Sequence, residues 1–188
     1  MATYIFYYDG FSGFETSCAC FQFHKNLKAA ALENRIYVSE ENQKYIPDII
    51  IDEIDPDDVD LLIIPGGDPS PLFENEKLKT FLLRLNDMGK HIGAICGGPS
   101  LLAKFGLLDN RKCTGNGMGI NAESKSFPLF EKAGILQKGV VTDGNITTAT
   151  GQYFVEFSLE LFKQMGGYKN REEEQADYNW WILKKMDS

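Results

Sequence analysis

The stretch Ile92-Gly93-Ala94-Ile95-Cys96-Gly97-Gly98-Pro99-Ser100-Leu101-Leu102 decides the fold. An apolar run of strand length ends at a cysteine, and Gly-Gly-Pro leads at once into a helical pattern. So tight a strand-to-helix turn forces the cysteine into an exposed, strained corner. This is the layout of a nucleophile elbow, with cysteine in the place of serine. The sulfur falls near a helix start, whose unpaired N–H groups and partial positive charge favour thiolate over thiol. The expectation is a reactive Cys96.

Outward from the elbow, apolar strands alternate with helical patterns. Residues 3–8 read as a first strand, with a turn at Asp9-Gly10. A long helical pattern covers residues 12–34, through Phe14, Cys18, Phe21, Leu27, Ala30 and Ala31. Ile36-Tyr37-Val38 reads as a second strand, Ile49–Ile51 with Ile54 as a third strand or hairpin arm, and residues 60–64 as a fourth, ending at Pro65-Gly66-Gly67. A helix over 76–88 precedes the elbow strand at 91–95. After the elbow helix come a strand at Lys112-Cys113-Thr114, a short helix over 126–133, strands around the turn Asp143-Gly144-Asn145, and an amphipathic helix over 151–165. The pattern predicts an α/β fold, a flavodoxin-like three-layer sandwich with a mostly parallel central sheet. In such sheets the site lies at the carboxyl ends of the strands. Residues 1–165 form this domain; residues 166–188, with Tyr178, Trp180 and Trp181, read as a C-terminal helical extension packed on it, or as a lid over the site or a partner-binding helix.

The 188 residues suffice for one sizeable core. Nineteen basic against 27 acidic residues give a net charge of −8, which argues against nucleic acid or an anionic membrane as partner. The N-terminal apolar run has no basic region before it and reads as a strand, not a signal peptide. No stretch has the length of a membrane span. Cys18, Cys20, Cys96 and Cys113 lack zinc-site spacing, so no metal or other cofactor is expected, and reduced thiols in a cytoplasm are the default. The seven acids between Asp48 and Asp60 lack the spacing and glycine of a calcium loop and read as a solvated edge. Gly115-Asn116-Gly117-Met118-Gly119 lacks the lysine of a phosphate loop and reads as a site wall, where Asn116 offers an amide.

Two further pieces fall at the edge that carries Cys96. Gly66 and Gly67 end a neighbouring strand, and their backbone N–H groups, together with that of Gly97, are free to face a bound oxyanion. Glu15 begins the first helix at the same edge, within reach of the sulfur. Cys18 follows one helical turn later on the same face, as a buried thiol or as a resolving partner for an oxidised Cys96.

These pieces, with Tyr8-Asp9-Gly10-Phe11, Leu62-Ile63-Ile64-Pro65-Gly66-Gly67 and Thr150-Gly151-Gln152, resemble the ThiJ/PfpI superfamily, a branch of the class I glutamine amidotransferase-like fold. The resemblance spans residues 3–165. It implies a homodimer, a nucleophilic Cys96, a protonated Glu15 hydrogen-bonded to it, and oxyanion donors at Gly67 and Gly97. Hydrolase-like and glyoxalase-like members carry a histidine near the cysteine. Here the corresponding positions are Gly97 in one branch and Asn116, with Gly115 next, in another. His24 and His91 are the chain's two histidines, and neither position suits a Cys-His dyad. A small-molecule substrate or ligand is implied. Three readings follow: aldehyde, carbonyl or oxidative-stress chemistry at Cys96; a non-catalytic redox sensor or binding module; and, least favoured, an amidase or peptidase.

Overall fold

Leu61-Leu62-Ile63-Ile64 is apolar at every position because helices cover both faces of the strand it forms. Residues 2–185 are described by this computed structural model. Met1 and residues 186–188, the outer ends of the two segments above, lie outside them. The chain runs β1 (Thr3–Phe6), α1 (Ser17–Phe23), β2 (Leu27–Ala31), β3 (Tyr37–Val38), β4 (Lys44–Tyr45), β5 (Ile49–Ile50), β6 (Leu61–Ile64), α2 (Glu76–Asp87) and β7 (His91–Ile95). It continues through α3 (Gly98–Lys104), β8 (Lys112–Cys113), β9 (Gly134–Ile135), β10 (Val140–Asp143), β11 (Ile146–Ala149), α4 (Phe154–Gln164) and α5 (Arg171–Trp181).

The central sheet has the order β10-β11-β7-β6-β1-β2-β5. All its neighbours pair in parallel except β10 with β11, which form the hairpin expected around Asp143-Gly144-Asn145. The period-two alternation of the strands divides the core. Leu62, Ile64, Ile92 and Ala94 pack with Leu78, Leu82, Leu85, Leu101 and Leu102 of α2 and α3. Ile5, Leu61, Ile63 and Ile95 pack with Ala19, Phe157 and Leu161 of α1 and α4 on the other face. The two layers and the sheet make the expected flavodoxin-like α/β sandwich.

Four departures from the sequence reading have physical causes. The long helix over 12–34 is instead a 3-10 turn at Phe14–Thr16, the short α1 and then β2. Leu27-Lys28-Ala29-Ala30-Ala31 has high helix propensity, but pairing in register with β1 overrides it and buries all three alanines. Ile36–Val38 contributes β3, which pairs with β4 in a hairpin outside the central sheet. The strand at Lys112–Cys113 likewise pairs with β9 away from the sheet. Residues 126–133 form only a 3-10 turn, Phe127–Phe130.

The extension packs α5 against α1 and α4. Asp177 accepts from Gln22 Nε2 at 2.9 Å and from Tyr168 Oη at 3.1 Å, and Trp181 meets Phe21 edge-on. Lys163 and Glu174 pair at 2.6 Å across the seam.

Candidate functional site

Cys96 follows β7 directly and has φ +55°, a left-handed conformation that a β-carbon makes costly. Its backbone is over-determined: its N–H donates to the Ala149 carbonyl at 2.9 Å, and its carbonyl accepts from Asn116 N–H at 2.6 Å. The side chain thereby stands clear of the sheet's end, and α3 starts two residues on at Gly98, with Pro99 in its first turn.

The neighbouring strand β6 ends at Pro65-Gly66-Gly67. Gly67 has φ +101° and bridges to Phe11, a backbone path that favours glycine. The peptide between Gly66 and Gly67 is clamped by its carbonyl, which accepts from the buried Tyr8 hydroxyl and from Ser12 N–H. Tyr8 Oη also lies 3.1 Å from the Pro65 carbonyl. In a trans peptide the N–H points opposite to the C=O. Holding the carbonyl on Tyr8 therefore turns the Gly67 N–H toward the Cys96 sulfur, where Gly97 N–H also points.

Glu15 sits in the Phe14–Thr16 turn and is 3% exposed. Its carboxyl lies against the Cys96 thiol and the Gly66 N–H, and its Oε2 is buried with no hydrogen bond formed. Two glycines make room for the pair. A β-carbon on Gly66 would collide with Glu15 Oε2 and come within 2.6 Å of Cys96 Cβ. One on Gly151 would collide with Glu15 Oε1 and stand 3.2 Å from Cys96 Sγ.

Burial pushes Glu15 up to about 7, aided by Glu40 and Glu41, while Cys96 and the Gly66 N–H pull it down. Burial, then the neighbouring Glu15, push the Cys96 thiol up to about 12, against the pull of the Gly67 and Gly97 N–H groups. The expected thiolate is thus not the resting form. The α3 helix has only 7 residues, and its end does not outweigh desolvation and an adjacent carboxyl. The pair instead brings together a thiol and a carboxyl that titrates near neutrality and can take the thiol's proton.

Asn116 and Gly115 lie beside the elbow. Asn116, at φ +59°, accepts from Ser126 Oγ at 3.2 Å and donates weakly to the Gly119 carbonyl at 3.5 Å, so its amide serves its own loop. Gly115 is tucked under Pro99 and the Cys96 carbonyl. Cys18 is buried in α1, which pushes its thiol up, and all four cysteines are free. His91, at the far end of β7, is buried on Thr147 Oγ1 at 2.9 Å and pushed down to about 4 by that burial. His24 caps α1 on the Phe21 carbonyl. No imidazole reaches the sulfur. Tyr8, Gly151 and the hairpin residue Glu41, which accepts from Gly13 and Phe14 N–H, are site neighbours that sequence reasoning missed. Only the Tyr8-Asp9-Gly10-Phe11 and Thr150-Gly151-Gln152 motifs hinted at the first two.

A polar cleft of about 360 Å³ opens on Gly67 and Gly97, walled by Asp68, Ser100, Asn116 and Lys125. A larger groove of about 720 Å³ between α4 and α5 shares no residue with the site. Among the described residues there is no cluster of metal-ligating side chains, and no helix is long and apolar enough to cross a membrane.

Residues 1–164 match the DJ-1/PfpI family model. Protein DJ-1 homolog B of Arabidopsis thaliana is 30% identical over 152 residues, 76% of this chain and 32% of that protein. Deglycase PfpI of Pyrococcus furiosus is 31% identical over 119 residues, 62% of this chain and 68% of that protein. The chain spans between about a third and little more than half of the length of the first three curated relatives. The crystal structure of a thiJ/pfpI family protein from Bacillus anthracis superposes with a TM-score of 0.85 at 21% identity, covering 98% of this chain and 91% of that one. With its sheet order, elbow and matched length, the chain belongs to the DJ-1/PfpI family.

Proposed function

We propose that this protein uses Cys96 as a nucleophile toward small aldehydes, related carbonyl compounds or peroxides, in defence against oxidative and carbonyl stress. One observation carries the reading: a strained cysteine faces two backbone N–H groups and a buried carboxyl with a pKa near 7. When the sulfur adds to an aldehyde, an S–C bond forms and the carbonyl electrons move to oxygen. The oxyanion is received by Gly67 and Gly97 N–H, and the thiol proton passes to Glu15 and on to that oxygen. With a peroxide the sulfur takes one oxygen and releases water or alcohol, giving a sulfenic acid; a second equivalent gives the sulfinate. Protonated Glu15 then donates to the new oxygen. The Pyrococcus relative is named a deglycase, and removal of carbonyl adducts falls within this reading. The four free cysteines suit a reducing cytoplasm, and the proposal includes a homodimer, as the family resemblance implies.

The remoteness of both histidines favours a second reading, a redox sensor or ligand-binding module that retains the elbow without turnover. It weighs equally against an amidase or peptidase, which needs a proton donor for its leaving group. Methylglyoxal consumption by wild type and Cys96→Ser separates the first two: loss of measurable turnover in the variant supports catalysis, and equal negligible rates leave sensing. After graded peroxide, mass spectrometry should find Cys96 sulfinate before the other three thiols change. Uniform oxidation of all four would overturn both readings.

A further inference from the structure

The loop that carries Glu15 is held by a separate part of the chain. The β3–β4 hairpin, inserted between β2 and β5, holds residues 9–11, 13 and 14. Gly10 N–H donates to the Val38 carbonyl at 2.8 Å, Val38 N–H to Asp9 Oδ1 at 3.2 Å, and Glu40 N–H to the Phe11 carbonyl at 2.9 Å. The last contact is the most directed. Glu41 Oε2 accepts from Gly13 N–H at 3.1 Å and Oε1 from Phe14 N–H at 2.9 Å. Those are orphan donors at the start of the Phe14–Thr16 turn, whose own first residues supply no side-chain cap. Asn42, at φ +61°, makes the hairpin turn that delivers Glu41 there. Tyr45 backs the contact: a β-carbon on Gly13 would meet its hydroxyl at 2.8 Å, and its ring packs on Phe11 and Tyr7.

We propose that Glu41 is a positioning residue: a distant carboxylate that caps the Phe14–Thr16 turn and so aims Glu15 at Cys96. The inference rests on the Glu15–Cys96 pair of the proposed function and assigns its control to the hairpin. A carboxylate suits the task because its two oxygens take both N–H groups at once. Against partial desolvation, the Ser39 side chain and the Phe14 and Gly13 N–H groups hold Glu41 below the usual carboxylate range, so the cap is charged at neutral pH. The groups facing Glu15 are Cys96, Tyr8, Glu40 and Glu41. Glu41 therefore acts in two ways that substitution can part: it fixes geometry, and it adds a negative charge that keeps the proton on Glu15.

The test follows iodoacetamide alkylation of Cys96 against pH in wild type, E15Q, E41A and E41Q, by mass spectrometry of the Cys96 peptide. In wild type the rate should rise through an inflexion near pH 7, where Glu15 ionises. E15Q should lose that inflexion. E41A should lose about tenfold in plateau rate, the scale of misplacing a reacting group. E41Q keeps an amide oxygen for Phe14 N–H but no charge, so it should hold most of the plateau with its inflexion at lower pH. A merely structural Glu41 would lower the melting temperature and leave both the plateau rate and the inflexion as they are in wild type; that result overturns the inference. If E41A does not fold, E41Q decides by the same criterion. If E15Q keeps the wild-type profile, the pair itself fails and the role of Glu41 with it. If E15Q changes and both Glu41 variants do not, only the hairpin's control is refuted.

Discussion

The Tyr8 hydroxyl makes one hydrogen bond that decides where another group points. It holds the Gly66 carbonyl, and the same rigid peptide presents the Gly67 N–H to the sulfur. Tyr8→Phe leaves Ser12 N–H, at 2.9 Å, to hold that carbonyl. The variant should fold with a loss of about 1–2 kcal/mol in urea unfolding, as for a buried hydrogen bond removed. Its Cys96 alkylation should slow by about tenfold, since a loosened Gly67 N–H gives less support to the thiolate that attacks the alkylating carbon. A wild-type rate would mean that the Gly67 N–H does not support the sulfur. At this scale the sequence was informative where a residue's function follows from its neighbours in the chain. Cys96, Gly97 and Gly67 announce themselves through the strand and turn around them. Tyr8 and Glu41 do not, because their partners lie 58 and 27–28 residues away.

Elements were legible where one local signal dominated. The β7 strand and the α2 helix have the expected limits to within one residue, since alternating packing and the Asn75 cap both act locally. The β10–β11 hairpin was marked by Asp143-Gly144. The failure at α1 and β2 has one cause: alanine is the best helix former, yet Ala29, Ala30 and Ala31 gain more by completing the sheet between β1 and β5 than by extending a helix over solvent. The helices that cover this face are α1 and α4. In α4, Phe157 anchors the packing: it is fully buried, and its ring and Leu161 lie about where a side chain on Gly93 would go. Phe157→Ala should cost about 3–5 kcal/mol in denaturant unfolding, the scale of a large core truncation. A loss under about 1 kcal/mol would mean that α4 is not a core element.

Over the whole molecule two buried titrations oppose one another. Glu15 is raised from its ordinary 4.5 to about 7, so the folded chain holds a proton that the unfolded chain releases. Its contribution is complete below pH 4.5 and is lost as the pH rises through 7. His91 is lowered from 6.5 to about 4, so its contribution is complete above pH 6.5 and is lost as the pH falls through 4. Each shift corresponds to about 3 kcal/mol. Between pH 4.5 and 6.5 the two slopes cancel. Urea unfolding at fixed pH should show it: over that interval E15Q gains stability with rising pH and His91→Gln loses it, with wild type nearly level. Parallel profiles for all three would refute the two shifts. Gly66 and Gly151 pinch the acid and the thiol from opposite sides, and this has a consequence for substitution. No residue with a β-carbon is harmless at either position, because even a methyl group displaces the carboxyl from the sulfur. The freedom to change what the cleft accepts is therefore left to its rim, to side chains such as Lys125 that line the opening.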